Sequence, residues 1–201
     1  EEIREKKEPK RLPVWACILL FALGLFVCMG LYGTIGFGLL SLILGDEARH
    51  PGLLVYTVTE ANMLLSVLTP AVILLYFERR PFSDLGLTLK GHVRGLWYGL
   101  LVAMLLYLIG FGLSLAIGEV EVTGFQFDPL NLLGTFVFCL LVALTEEIMM
   151  RGYILGRLLH TRMNKFLALF VSALLFALLH IFNPNVAFLP MLNLVIAGML
   201  F

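Results

Sequence analysis

The stretch Leu140-Leu141-Val142-Ala143-Leu144-Thr145-Glu146-Glu147-Ile148-Met149-Met150-Arg151-Gly152 sets two adjacent carboxylates inside an apolar helix. A carboxylate at bilayer depth is costly, and chains rarely keep one without a use. Hydrogen bonds between helices in membranes average only about 0.6 kcal/mol, so a purely structural polar knot is the weaker reading of two acids. Spacing divides their tasks. Glu147 and Arg151 stand at i, i+4, the geometry of an ion pair along one helix face. Glu146 is five residues from Arg151 and is left with less compensation, which suits a general base.

The surrounding composition agrees with a membrane setting. The chain has 201 residues, of which 60% are hydrophobic and 14% charged. Soluble domains are less apolar and carry roughly 25% charge. Apolar runs long enough for helical spans of about 20 residues cover Val14 to about Leu44, Leu53–Phe77 with Pro70 as a kink, Val93–Ile117, Pro129 to Leu159, and Lys165–Phe182. A sixth begins near Phe188 and breaks off at Phe201, so an excerpt of a longer protein is expected. In the first run Gly30, Thr34 and Gly38 make a small-residue stripe that predicts close approach of another helix; in the third, Gly95 and Gly99 share a face. Residues 1–12 form a charged tail. The run after it is too long for a secretory signal and lacks a cleavage site. The predicted fold is therefore all-α: a polytopic transmembrane helical bundle of about six visible spans, with one membrane domain over residues 13–201.

Orientation follows from basic residues in the connections. The tail has five Lys/Arg, Asp46–Gly52 has one, Glu78–Arg94 has four and Gly118–Asn131 has none. The turn after the fourth span holds Arg157, Arg162 and Lys165, and 183–187 has none. This alternation puts the N-terminus in the cytoplasm. The membrane is the plasma membrane in a prokaryote and the endoplasmic reticulum in a eukaryote.

The fourth and fifth spans form an antiparallel hairpin turning near Arg162–Met163. Glu146 lies seventeen residues before Met163 and His180 seventeen after it. Both therefore sit about 25 Å from the turn, where a carboxylate and an imidazole can share one water. His180 would orient that water or pass its proton on. Glu146-Glu147-x-x-x-Arg151-Gly152 followed by Phe176-x-x-x-His180 resembles the motif pair of the CAAX prenyl endopeptidase family, also called the CPBP or Abi family of intramembrane proteases. Ser172–His180, Asn183-Pro184-Asn185 and Asn193–Gly198 extend the resemblance over about Asp128–Phe201. Met150 stands where the family often has Phe.

The resemblance implies an endopeptidase that hydrolyses a peptide bond near the C-terminus of a membrane-associated substrate, a prenylated Cys-a-a-X tail being one such class. It implies Glu146 as base, His180 as its partner, Glu147 and Arg151 as support, and Phe176 as cavity wall. The family's last motif, a His-x-x-x-Asn pair for the oxyanion, would fall beyond Phe201. No cofactor is expected. A zinc-dependent version is the mechanistic alternative, with Glu146, His180 and a residue beyond Phe201 as ligands and water in the fourth position. A non-catalytic or immunity-type membrane scaffold of the same family is the second alternative. A proton-coupled carrier ranks last, because no internal repeat is visible.

The remaining polar residues have plainer readings. Cys17, Cys28 and Cys139 lie in apolar runs as packing residues, neither disulfides nor metal ligands. Asn183 and Asn185 flank Pro184 and read as a turn, with Asn183 the candidate to face the cavity. Glu60, with Thr57, Thr59 and Asn62, reads either as lining the same cavity or as meeting outer-leaflet water, the second being preferred. No phosphate loop, His-Glu-x-x-His or Ser/His/Asp set appears, and nothing in the charge pattern suits nucleic acid.

Overall fold

The computed structural model describes residues 12–50, 52–88, 90–181, 183–184 and 186–200. The charged tail up to Arg11, together with Asn185 and Phe201, lies outside the described residues. Those described build an all-helical protein without strands: α1 (Val14–Leu44), α2 (Leu53–Phe77), α3 (Val93–Ala116), α4 (Pro129–Glu147), α5 (Gly156–Leu159), α6 (Lys165–Leu179) and α7 (Phe188–Leu200). Short 3₁₀ turns cover Gly45–Arg49 and Phe82–Leu85, and a π-helical segment, Ile148–Leu155, joins α4 to α5. Four stretches are long and apolar enough to cross a membrane: Val14–Arg49, Leu53–Phe77, Val93–Ala116 and Pro129–Leu159. α6 and α7 are apolar but shorter, at 15 and 13 residues.

The fifth span thus stops at Leu179, ahead of the predicted Phe182. His180 takes the C-cap, and the Asn183 N–H donates to the His180 carbonyl at 3.0 Å. Pro184 is consistent with this stop, since it has no N–H to offer the His180 carbonyl four residues back and its ring would clash with that carbonyl in a continued helix.

The chain divides into two compact units, residues 1–87 with 133–201, and residues 88–132. In the second, α3 closes with Gly118 at φ 76°, the Gly118 N–H on the Leu115 carbonyl at 3.2 Å and the Glu119 N–H on the Ser114 carbonyl at 3.0 Å. That is a left-handed C-terminal cap, which glycine adopts without a Cβ penalty. Asp128 Oδ1 then accepts from the N–H groups of Leu130 and Asn131, both at 3.1 Å, and opens α4.

In the larger unit α1 and α2 pack as an antiparallel pair, but not through the predicted stripe. Where Cβ atoms at Gly30 and Gly38 would stand there is open space; the close approaches are at Gly24 and Gly36. A Cβ on Gly24 would lie 2.7 Å from Pro70 Cβ, and one on Gly36 would collide with the Asn62 amide. The face that α1 turns inward carries the buried Cys17, Phe21, Gly36 and Leu40, and Gly30, Thr34 and Gly38 lie on the other side. Pro70 sits within α2, whose backbone stays helical through it.

The core gathers around the π segment. Met150, Tyr153 and Ile154 pack with Phe21, Val67, Ala71 and Leu75 of α1 and α2, and with Ala168 and Phe176 of α6. Two contacts hold the wider turn. Gly152 lies against the Phe82–Leu85 turn so closely that a Cβ would stand 2.7 Å from the Leu85 carbonyl oxygen. From α6, the buried Ser172 hydroxyl donates to the Met150 carbonyl at 3.2 Å. Beyond the segment, Arg157 is not the interfacial cation of a connecting turn. It is buried, pairs with Glu78 at the end of α2, and lies 5.0 Å over the Tyr153 ring. Cys17 is more than packing as well, because its Sγ donates to Glu78 Oε1 at 2.9 Å.

Candidate active site

Glu146 lies one residue before the end of α4, and His180 caps α6. The short connection between Leu159 and Lys165 folds α6 back along the π segment, so the two side chains meet. Glu146 Oε1 stands 3.6 Å from His180 Nε2. That is beyond a direct hydrogen bond and within the span of one bridging water. The other ring nitrogen is committed: Nδ1 lies 2.9 Å from the Phe176 carbonyl. A carbonyl only accepts, so Nδ1 carries the proton. In the neutral imidazole Nε2 is then a lone-pair acceptor facing the carboxylate, and in the imidazolium it is a donor at the same point.

The pair opens on a cavity of about 350 Å³ whose wall includes Met29, Glu60, Met63, Thr145, Phe176 and Asn183. The Phe176 ring meets the His180 ring edge-on, with centroids 4.7 Å apart. Arg151 Cζ sits 5.6 Å from the Phe176 centroid, and its Nη1 donates to Glu147 Oε1 at 2.6 Å. A chain of contacts therefore runs Glu147–Arg151–Phe176–His180.

This separates the sequence-derived candidates into two groups. Glu146, His180, Phe176 and Asn183 line one cavity. Glu147 and Arg151 do not; they border a neighbouring depression of about 230 Å³ with Asp84, Leu85 and Gly152. Their route to the site is the Phe176 ring. For Glu60 the sequence left the cavity open as a reading but favoured outer-leaflet water. The residue lies on the cavity wall, not in a separate patch facing outer-leaflet water. Only the packing of α2 against α1 and α4 turns it there, and its spacing carried no signal for that. Among the described residues, no three His, Cys, Asp or Glu side chains come together as a metal-binding set. The closest helix crossing at the far end of the motif region is Gly198 on Ala173, where a Cβ would stand 3.0 Å from the Ala173 Cα.

Residues 128–201 match a family model described as type II CAAX prenyl endopeptidase Rce1-like. The segment that holds Glu146, Arg151, Phe176 and His180 is thus similar to a CAAX-type membrane protease, over the same residues from which the motif resemblance was read. No curated protein and no solved structure matches. With four helices of spanning length, the chain is an integral membrane protein.

Proposed function

We propose that the chain is a glutamate-dependent intramembrane endopeptidase acting on membrane-associated peptides or proteins near their C-termini. The observation that supports this most is the Glu146–His180 pair, 3.6 Å apart at the wall of a cavity and inside the matched segment. Glu146 takes a proton from a water held between the carboxylate and Nε2. The resulting hydroxide attacks the scissile carbonyl carbon, and a tetrahedral oxyanion forms. Collapse breaks the C–N bond, and the proton held by Glu146 passes to the leaving nitrogen. An oxyanion needs donors placed where charge develops. The Asn183 amide and the imidazolium form of His180 are donors on this wall. Glu147 fixes Arg151, Arg151 stacks on Phe176, and Phe176 both packs on the imidazole and accepts from it. Lipidated Cys-a-a-X tails are the first substrates to try, and no cofactor takes part in this reading. In this reading the N-terminus lies in the cytoplasm, as the basic residues of the connections suggest, with the plasma membrane or endoplasmic reticulum as the host bilayer according to cell type.

The test is cleavage of a lipid-anchored peptide by the full chain in nanodiscs. Glu146→Gln is expected to lower kcat by about 100-fold or more. Undiminished turnover would remove Glu146 from the mechanism.

A further inference from the structure

Glu60 has no role in the mechanism above, although it lines the same cavity as Glu146 and His180. Among the described residues nothing pairs with it: no ion pair and no side-chain hydrogen bond involves its carboxylate. It stands at a junction. A second hollow of about 240 Å³, formed along α1 and α2 with apolar walls such as Phe37, Leu40 and Val55, shares Met29, Glu60 and Met63 with the catalytic cavity. The two spaces therefore adjoin at these three side chains, with this carboxylate on the wall of both. Their charge is unbalanced, since two acids, Glu60 and Glu146, face one imidazole. Arg151, the nearest guanidinium on α4 and the π segment, is turned to Glu147 and lines neither space.

We propose that Glu60 is a specificity-determining residue that receives a basic side chain of the substrate, Lys or Arg, close to the scissile bond. This rests on the peptidase reading of the cavity. The chemistry fits such a side chain in two ways. Its methylene stem lies along Met29 and Met63, and its charged head reaches the carboxylate, the usual division of a long cationic residue between apolar and polar surroundings. An acidic side chain at the same place meets two carboxylates in a confined space and is rejected. Specificity of this kind comes as much from repelling the wrong charge as from attracting the right one.

The experiment uses three N-palmitoylated hexapeptides that differ at one position beside the cleaved bond: lysine, norleucine or glutamate. Binding to the full chain in nanodiscs is measured on Glu146→Gln, where turnover does not interfere and Glu146 carries no charge, and on Glu60→Gln/Glu146→Gln. The lysine peptide is expected to bind about tenfold or more tightly than the norleucine peptide to the first, with the glutamate peptide weakest. In the double variant the lysine preference should fall below about threefold. Equal binding of lysine and norleucine peptides by the first variant overturns the proposal, and so does a preference that survives Glu60→Gln. Thermal unfolding of the double variant confirms that the site is compared in folded protein. Cleavage by the wild type is scored separately. Discrimination in binding without any cleavage would overturn the peptidase reading and leave Glu60 as a charge selector. Cleavage without discrimination would do the reverse.

Discussion

His180 carries more information than its place in a motif. Its Nδ1 is tied to the Phe176 carbonyl at 2.9 Å, so the tautomer is set by the helix it caps. Its Nε2 is left for the cavity. Replacing His180 by Gln retains a polar group but removes the switch between acceptor and donor. Turnover is expected to fall about 100-fold with substrate binding little changed, read as kcat against KM. In the proposed mechanism Arg151 acts one step further back. Arg151→Lys keeps a cation for Glu147 and loses the flat guanidinium over Phe176. A fall in kcat with an unaltered KM is expected, and full activity in the lysine variant would show that the stack on Phe176 does not matter. The residue types at these positions were legible from spacing alone. Glu147 with Arg151 at i, i+4 needs only helical periodicity. Glu60 was not legible, because a lone acid one-third of the way along a span reads the same whether its face meets solvent or a cavity.

At the scale of elements, the π segment is what the sequence concealed. An apolar run from Pro129 to Leu159 reads as one helix, and Ile148-Met-Met-Arg-Gly-Tyr-Ile-Leu155 has no proline, while its single glycine, Gly152, does not by itself signal a change of winding. The change is held by tertiary partners. Single π turns inside α-helices recur at functional sites, and this one follows directly on Glu146 and Glu147. Removing the Ser172 hydroxyl with Ser172→Ala deletes its bond to the Met150 carbonyl and is expected to destabilise by about 1 kcal/mol. Gly152→Ala is expected to be worse. A Cβ there meets backbone oxygen at 2.7 Å, which a side-chain rotation cannot relieve, and overpacking of this kind costs about 1–3 kcal/mol. Gly30→Ala, with open space around the added methyl, serves as the neutral comparison. Unfolding in detergent ranks the three, and equal stability of Gly152→Ala and Gly30→Ala would refute the close packing of the Phe82–Leu85 turn.

Across the whole molecule, the Glu78–Arg157 pair ties the end of α2 to the end of the hairpin that carries Glu146. Both side chains are under 10% exposed. Removing one partner from a buried pair typically costs about 3–5 kcal/mol, whereas replacing both with apolar groups of similar size is often close to neutral. Glu78→Leu is therefore expected to lower stability sharply, and Glu78→Leu/Arg157→Met to recover most of the loss. Thermal unfolding of the two variants checks this, and additive losses would show that the charges act independently. By itself the sequence determined the all-helical class, the helix starts at Val14, Leu53, Val93, Pro129, Lys165 and Phe188, and the positions of Glu146, Glu147, Arg151 and His180 along them. Those follow from local rules, namely apolar run length, helical period and proline or glycine punctuation, each readable within a few turns of chain. Tertiary structure alone decided which faces meet. It put the α1–α2 contact at Gly24 and Gly36, turned Glu60 into the cavity, wound Ile148–Leu155 as a π segment and buried Arg157 on Glu78. In a chain apolar on nearly every face, hydrophobic pattern does not say which side of a helix packs inward. Close steric fit and the pairing of scarce charges make that choice.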